Sequence, residues 1–482
     1  MLLSLVIVYL LVTIAIGLIA ARRVKSSADF AVAGHKLPLI MIVTTTFATW
    51  FGSETVLGIP AKFVEGGLNG VVEDPFGAGT CLILVGMFFA ARLYRMNLLT
   101  ISDFFRERYG RGIEVACSLI IMLSYLGWVS AQITALGLVF NLLSGDAISM
   151  SQGMVIGVAV IMAYTLFGGM WSVAVTDFVQ MIILVGGLSS LAVFAGDLAG
   201  GADKVIALAA SRDMFNFLPE PNFKDIVFFI AAAITMMLGS IPQQDVFQRV
   251  MSADSVRSAT RGPVIGGVCY IIFAFVPMFL VTSALVIMPE QAQALLHDDP
   301  QKVLPTLVLE KMPFVMQVLF FGALLSAIQS CASATLLAPS VTFVENIWRQ
   351  FHPHMGDQQE LRTMRITVLV FACFVLAYAI LMQGTSIYEM VSGAYQVTLV
   401  GVFTPLVFGL YWSRATTQGA VLAVLLGLTT WGLFLLTDAG EAFPSQLAGV
   451  LASLTGMVLG SLSPQLIRNH QGPHHKLVGV EG

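Results

Sequence analysis

Charged residues are scarce in this chain. Asp, Glu, Lys and Arg make up 11% of its 482 residues, whereas 57% are hydrophobic. A soluble domain carries about 25% charged residues, so this composition excludes an ordinary water-soluble fold. In lipid, backbone groups must be satisfied internally, which leaves helices or a closed barrel. The apolar runs are long and lack the alternation of barrel strands. They therefore predict an all-α membrane protein.

Cysteine is sparse, and several familiar motifs are missing. The five cysteines all lie in apolar runs without a CxxC pair, which argues against a disulfide framework or a zinc site. No GxxxxGK[ST] loop is present, so an ATP-driven pump is not expected. Acids and histidines do not cluster as in a membrane enzyme, and no basic patch suits nucleic acid. The histidines of the tail, His470, His474 and His475, are read as solvated.

Apolar runs with charged flanks predict thirteen transmembrane helices. The first has no basic residues before it, which indicates an uncleaved helix rather than a signal peptide. Most of the 24 Lys and Arg residues fall on one side of this topology. The positive-inside rule then places the N-terminus outside and the C-terminus in the cytoplasm of an inner membrane. The spans lie near 2–21, 38–61, 70–91, 113–143, 149–168, 172–198, 225–243, 263–288, 313–341, 366–383, 390–412, 418–437 and 446–466.

Two spans have irregular interiors. Polar residues and glycine interrupt the second span at 48–55, and Gly239 to Asp245 ends the apolar part of the seventh span early. Irregular backbone at membrane depth is tolerated where it lines a cavity. The two spans lie five helices apart and run in opposite directions, which is the sequence pattern of an inverted-repeat transporter with a site at the midplane. Two kinked structural helices are the alternative.

Several motifs carry a resemblance to a known family. They are Ala28 to Gly34, the stretch 48–60, Gly168 to Gln180, Asp245 to Arg249, and Ala323 to Ala327 with Ser330 and Ser333. The chain resembles the sodium/solute symporter family of sugar, proline, pantothenate, sialic-acid and choline carriers. The resemblance implies a leucine-transporter-type core of five plus five inverted helices within one transmembrane domain, 1–482. Its parts are an extra helix and loop at 1–37, overlapping repeat regions at 38–243 and 225–412, C-terminal helices at 413–466 and a cytoplasmic tail at 467–482.

The resemblance also implies a sodium site between the second and ninth spans. A thiol is a poor ligand for a hard cation, and position 331 offers a second hydroxyl in the family but a thiol here. Asp177 could compensate, because the matching aspartate of the family lies close to this sodium. Ala334 replaces a hydroxyl that a second sodium would need, so one sodium is expected. Proton coupling through Asp177 or Glu54 stays open. The implied sodium ligands are Ala48, Phe51, Ala327, Ser330, Cys331 and Asp177.

Acids and tryptophans at cavity depth are the candidate solute contacts. Trp50 and Trp128 match tryptophan positions of the choline carriers, and aromatic faces attract quaternary ammonium groups. Gln243 stands where the third aromatic residue of those carriers is expected. An intramembrane acid indicates function by default, although capping of a helix end, or core packing for the tryptophans, is the alternative. The candidates are Trp50, Glu54, Asp74, Trp128, Gln132, Gln243 and Gln396.

These features predict a secondary active transporter and not an enzyme. The expected activity is sodium-coupled symport of a cationic or zwitterionic amine by alternating access, for which a monomer suffices. A proton-coupled or sodium-independent carrier of the same fold is the alternative. A solute sensor that does not transport is a second alternative, although such sensors usually carry a signalling domain.

Overall fold

The computed structural model describes residues 1–470, and most of them are helical. Within that range the only strand-like pairing is one isolated bridge between Leu37 and Ala253. The part of the expected cytoplasmic tail that includes His474 and His475 lies outside the described residues. The chain is therefore an all-α protein, as its composition predicts.

Ten described helices are long and apolar enough to cross a membrane. Their mean hydropathy ranges from 1.4 to 2.9 over 18 residues, and many side chains on their outer faces are exposed leucine, isoleucine, valine or phenylalanine. These helices are Leu2–Ala21, Val72–Met96, Arg111–Leu143, Met150–Leu198, Val256–Ile287, Phe314–Phe351, Asp357–Leu381, Ile387–Tyr411, Thr417–Leu436 and Ser445–Leu462.

The helix Met150–Leu198 is in fact two spans joined by a sharp reversal. Its 49 residues would measure about 74 Å if straight, far more than the hydrocarbon thickness of about 30 Å. Gly169 breaks it with φ 45° and ψ −139°. Tyr164 and Gln180, on opposite sides of the break, both hydrogen bond to Gln329, at 3.2 and 3.3 Å. The chain therefore folds back at Gly169, between the fifth and sixth predicted spans.

Two further spans are broken. The first broken span consists of Leu39–Trp50, an irregular turn, and Ile59–Gly70. The second consists of Phe223–Gly239 and Gln244–Ser252, which meet at 44°. With the reversal at Gly169, these segments bring the spans within residues 1–470 to the thirteen that the sequence predicts.

Shorter helices cover the two ends of the bundle. Ile101–Tyr109 lies at one end; Ala202–Ser211, Pro289–Asp298 and Val303–Lys311 lie at the other. We call the first end the basic face, because its loops carry most of the Lys and Arg residues, and the second the acidic face. Three loops meet at the basic face. Leu37 N–H donates to Ser252 O at 2.9 Å, and Ser27 N–H donates to Asp357 Oδ1 at 2.9 Å.

Candidate functional site

The two broken spans meet in the centre of the bundle. Trp50 at the first break donates its indole N–H to Asp245 Oδ2 at the second, at 3.1 Å. Arg249 donates to Thr49 Oγ1 at 2.7 Å and to the Asp245 carbonyl oxygen at 2.8 Å. All four side chains are buried. Because helices that end at membrane depth leave backbone groups free of helical partners, this junction is where polar ligands can be held inside the bundle.

Four aromatic rings cluster beside this junction. The Trp128 ring centroid lies 5.8 Å from that of Trp50, 5.4 Å from Tyr395 and 6.0 Å from Tyr125, and Trp50 and Tyr395 stack at 6.0 Å. The sequence singles out the two tryptophans but misses the two tyrosines. Tyr125 lies one helical turn before Trp128, on the same face, and this spacing was the available signal. We call these four rings the aromatic cluster.

Glu54 lies against the aromatic cluster, and its side-chain donors within residues 1–470 are neutral. Gln132 Nε2 donates to Glu54 Oε2 at 2.6 Å, and Trp128 Nε1 donates to Glu54 Oε1 at 3.2 Å. Gln132 is oriented in turn by Ser53 N–H, which donates to Gln132 Oε1 at 2.9 Å. The structure therefore brings together Trp50, Glu54, Trp128 and Gln132, with a buried carboxylate at the rim of the rings.

Gly52 makes room for the carboxylate at the break. A Cβ atom at this position would lie 2.5 Å from Glu54 Oε2 and 3.0 Å from Cys331 Sγ. The thiol of Cys331 and the carboxylate of Glu54 thus face the same stretch of backbone. Any larger residue at position 52 would push one of them away.

Asp74 lies further toward the acidic face and connects to the break through hydroxyl groups. Tyr270 OH donates to Asp74 Oδ1 at 2.6 Å and lies 2.9 Å from Thr55 Oγ1. Thr55 Oγ1 in turn donates to the Trp50 carbonyl oxygen at 3.3 Å. Asp74 Oδ2 is buried and forms no hydrogen bond with the part of the chain that the structure describes. Asp74 is thus coupled to the first break but does not contact the aromatic cluster directly.

A cavity opens on the acidic face next to Asp74. Its volume is about 660 Å³, and Glu73, which accepts a hydrogen bond from Ser392 at 2.9 Å, contributes to its wall. Glu65, Glu220 and Asp225 also line this cavity. Its carboxylates give it a negative potential that favours the approach of cations.

The two remaining glutamines differ in position. Gln243 lies at the second break, where its amide donates to Ser124 Oγ at 2.9 Å and to Thr398 Oγ1 at 3.4 Å. It therefore stays close to the site. Gln396 instead accepts a hydrogen bond from Trp431 Nε1 at 3.2 Å, on the peripheral helix Thr417–Leu436. The expectation that Gln396 faces the central cavity is thereby corrected, because its neighbour Tyr395 takes the inward direction.

A second polar centre lies toward the basic face. The buried carboxylate of Asp177 accepts a hydrogen bond from Ser330 Oγ at 2.6 Å and another from Thr45 Oγ1. These three residues come from three different spans. Ser330 and Asp177 were expected to lie together; Thr45 was not identified, although it lies one turn before Ala48. We call this group the Asp177 centre.

Backbone oxygens are available beside the Asp177 centre. The last hydrogen bond of the helix Leu39–Trp50 joins Phe51 N–H to Phe47 O at 2.9 Å. The carbonyl groups of Ala48 and Phe51 therefore lie beyond the regular helical pattern. Ala327 precedes Ser330 by one turn on the helix Phe314–Phe351. Carbonyl, hydroxyl and carboxylate oxygens are the ligands that a hard cation such as Na⁺ prefers.

Known proteins resemble this chain over nearly its whole length. The chain is 24% identical to the high-affinity choline transporter 1 of Caenorhabditis elegans, over 96% of this chain and 85% of the relative. It is 26% identical to the high affinity choline transporter 1 of Homo sapiens, over 91% and 76%. It is also 25% identical to the high-affinity proline transporter PutP of Bacillus subtilis (strain 168), over 93% and 95%.

The fold matches that of a solved transporter. A Na⁺-coupled sialic acid symporter in a substrate-bound outward-open state superimposes with a TM-score of 0.83, at 20% identity, over 96% of this chain and 97% of the symporter. This match confirms the leucine-transporter-type fold. The model of the sodium:solute symporter family matches residues 30–427. The protein is thus a multi-pass membrane transporter that couples a small solute to sodium, and it belongs to the sodium:solute symporter family.

Proposed function

We propose that this protein imports a small organic cation with a quaternary ammonium group, and that the aromatic cluster binds it. The supporting observation is the set of four rings whose neighbouring centroids lie 5.4–6.0 Å apart. Indole and phenol faces attract a cation within about 6 Å of the ring centroid. Tyr125 and Tyr395 supply the aromatic surface that Gln243 does not.

Glu54 favours a cation over a neutral solute. Its carboxylate is buried beside the rings, and its donors Gln132 and Trp128 carry no charge. An isolated buried charge is costly and is normally paired or neutralised. A solute with a positive charge at the cluster would provide that pairing. Choline satisfies both requirements, and the similarity to choline transporters makes it the first compound to test.

We assign sodium to the Asp177 centre. Its ligands would be the carbonyl oxygens of Ala48, Phe51 and Ala327, the hydroxyl of Ser330, and the carboxylate of Asp177. Cys331 lies at the edge of this group, where its thiol faces Gly52. Thr45 would orient Asp177 through its hydroxyl. Bound sodium would hold the first broken span against the helix Phe314–Phe351.

This arrangement couples the two ligands through one element. The first broken span carries Ala48 and Phe51 of the proposed sodium site and Trp50 and Glu54 of the proposed solute site. Sodium that orders this span would raise solute affinity, and linkage requires the reverse as well. The rings touch one another and are buried, so the solute must part them on entry. We assign the two repeat halves to the overlapping regions 38–243 and 225–412. The first half carries the break near Trp50, and the second carries the break near Gln243.

The same proposal fixes the direction of transport. With the basic face in the cytoplasm of the inner membrane and the N-terminus outside, the cavity of about 660 Å³ opens outward. Its acidic wall then faces the side from which sodium and an organic cation would enter. A folded monomer contains both proposed sites.

The test is uptake by the purified protein in liposomes. Radiolabelled choline, glycine betaine and proline would each be offered with an inward gradient of sodium, of protons, or of neither. We expect choline uptake that depends on sodium. Uptake driven by protons alone would contradict sodium coupling, and uptake of proline but not choline would contradict the cationic solute. Binding of choline in either salt without uptake would instead indicate a sensor.

Matched variants separate the aromatic cluster from general stability. Trp128→Leu removes a ring of the cluster, whereas Trp431→Leu removes a tryptophan that contacts Gln396 at the periphery. A desolvated cation–π contact contributes about 2 kcal/mol, so Trp128→Leu should weaken choline binding roughly thirtyfold. Tyr395→Phe should bind choline nearly as well as the parent, because the buried Tyr395 hydroxyl has no hydrogen-bond partner among the described residues. Equal effects of the two tryptophan variants would refute the assignment.

A further inference from the structure

A groove runs along the lipid-facing surface beside the helix Asp357–Leu381. Its volume is about 430 Å³, and its wall is almost wholly apolar. Several of these side chains are exposed to the membrane, including Phe374, which is 67% exposed. Six of the residues that line it are Met122, Phe343, Trp348, Ile366, Val370 and Phe374. A surface of this kind inside a bilayer is covered by hydrocarbon chains.

The groove continues into a second cavity at the basic face, which is more polar than the groove itself. This second cavity has a volume of about 630 Å³, and Trp348, Thr363 and Ile366 line both cavities. Its far side carries polar and basic side chains, among them His352, His354, Gln359 and Arg362. The pair of cavities is therefore amphipathic, with an apolar channel at membrane depth and a basic end at the surface.

Arg362 is the free positive charge at this end. It is exposed, and no ion pair or hydrogen bond engages its guanidinium within the described residues. The nearest acids in sequence have other contacts. Asp357 accepts from Ser27 Oγ at 2.7 Å, and Glu360 lies 3.7 Å from Arg349. The charge of Arg362 is thus left for a group outside the protein.

Trp348 marks the level at which the apolar and polar parts meet. Its ring stacks on His352 with centroids 4.6 Å apart on one side and lies 6.3 Å from the Phe343 ring on the other. It is 38% exposed. Tryptophan prefers the headgroup level of a bilayer, so the basic end of the groove lies where phospholipid phosphates lie.

We propose that this groove is a binding site for an anionic phospholipid. One acyl chain would lie against Phe343, Ile366 and Val370, and the phosphate would contact Arg362 with His352 or His354. Basic pockets between membrane helices recognise anionic headgroups in this way. The site is separate from the aromatic cluster and the Asp177 centre, so the proposal does not depend on the identity of the solute.

The test compares lipids that differ only in headgroup charge. The full-length protein in detergent would be titrated with phosphatidylglycerol or phosphatidylcholine of the same acyl chains, with thermal unfolding and native mass spectrometry as readouts. We expect phosphatidylglycerol to raise the unfolding midpoint and to stay bound, and phosphatidylcholine to do so at clearly higher concentrations. Equal behaviour of the two lipids would overturn the proposal. Equal stabilisation by soluble glycerol 3-phosphate would also overturn it, because the groove would then contribute nothing.

Two pairs of variants locate the lipid. A basic residue near the membrane surface changes anionic lipid binding about fivefold, so Arg362→Gln should weaken phosphatidylglycerol binding by that factor. The control is Arg261→Gln, which changes another exposed arginine of the basic face and should leave binding unchanged. Val370→Trp should obstruct the groove and lower binding, whereas Val193→Trp places the same bulk on a different lipid-facing helix. If each variant matches its control, the lipid binds elsewhere and the proposal is wrong.

Discussion

Replacing Cys331 with serine tests the proposed sodium site most directly. The side chain at 331 is fully buried at the first break, next to Gly52, and serine is smaller, so the change fits without crowding. A hydroxyl is a harder ligand than a thiol. We expect the new hydroxyl to turn toward the ion that Ser330 and Asp177 would hold, which gives sodium one more oxygen ligand.

The expected gain follows from the energy of one additional charge-assisted contact. A hydrogen bond to a charged group contributes about 1.5–3 kcal/mol, and one hydroxyl–sodium contact should be similar in size. The sodium concentration that gives half-maximal stabilisation should therefore fall roughly tenfold to a hundredfold. Thermal unfolding of the purified protein over a sodium series, with lithium or potassium replacing sodium at constant ionic strength, measures this shift.

Controls separate coordination from a local effect on the solute site. Cys117→Ser changes a buried thiol in the helix Arg111–Leu143, far from both breaks in sequence. It should lower stability without changing the sodium midpoint. Because Cys331 also faces Glu54, its serine variant is measured again at saturating choline. A sodium midpoint that is the same in Cys331→Ser, Cys331→Ala and the parent protein would refute the placement of sodium beside position 331.

Three further substitutions test the framework around the site. Gly169→Ala should abolish stable expression. Alanine at φ 45° should lower the free energy of unfolding by about 1–3 kcal/mol, and its Cβ would collide with the Phe30 carbonyl oxygen. A normal yield of folded protein in fluorescence size-exclusion chromatography would contradict this. Arg249→Gln leaves Asp245 buried without its cationic neighbour and should lower the free energy of unfolding by about 3–5 kcal/mol. Thermal unfolding measures this loss, and an unchanged midpoint would show that Asp245 is neutral. Asn346 donates to two buried carboxylates, each at 2.9 Å. Asn346→Ala should therefore speed hydrogen exchange in the helix Ile101–Tyr109 tenfold or more, and unchanged protection would show that these hydrogen bonds do not hold that helix in place.

The number and order of spans could be predicted because each depends on a local property of the sequence. Twenty apolar residues between charged flanks specify a span whatever lies beside it. The reversal at Gly169 falls between the predicted spans 149–168 and 172–198, which are two separate apolar runs in the sequence. The breaks were also visible, because glycine, proline and polar residues are rare at membrane depth.

The composition of the aromatic cluster could be predicted only in part. Tyrosine on an apolar helix is equally compatible with a lipid interface. The spacing of Tyr125 from Trp128 was a signal, but Tyr395 gave none until the helices were packed together. Gln396 shows the converse problem. Adjacent residues on a helix point about 100° apart, so Tyr395 and Gln396 cannot both face the centre of the bundle. Gln396 points outward because its amide oxygen accepts a hydrogen bond from Trp431 on the helix Thr417–Leu436.

The balance of buried charge limits what the site can accept. Glu54, Asp177 and Asp245 lie around the two breaks. Within the described residues, Arg249 is the buried basic side chain beside them, and it donates to the Asp245 carbonyl oxygen rather than to a carboxylate. The positive charge of Arg249 acts on both Asp245 and Asp177, so Arg249 and one sodium ion together would compensate these two carboxylates. Glu54 then remains, and the low dielectric of the site makes its unpaired charge costly. A quaternary ammonium solute neutralises it on binding, whereas a zwitterion brings a carboxylate that repels it unless a proton binds first. The net charge moved per solute molecule therefore distinguishes a cationic from a zwitterionic solute. An organic cation carried with one sodium transfers two positive charges, and a zwitterion carried with one sodium transfers one, so electrogenic currents normalised to uptake distinguish the two solutes.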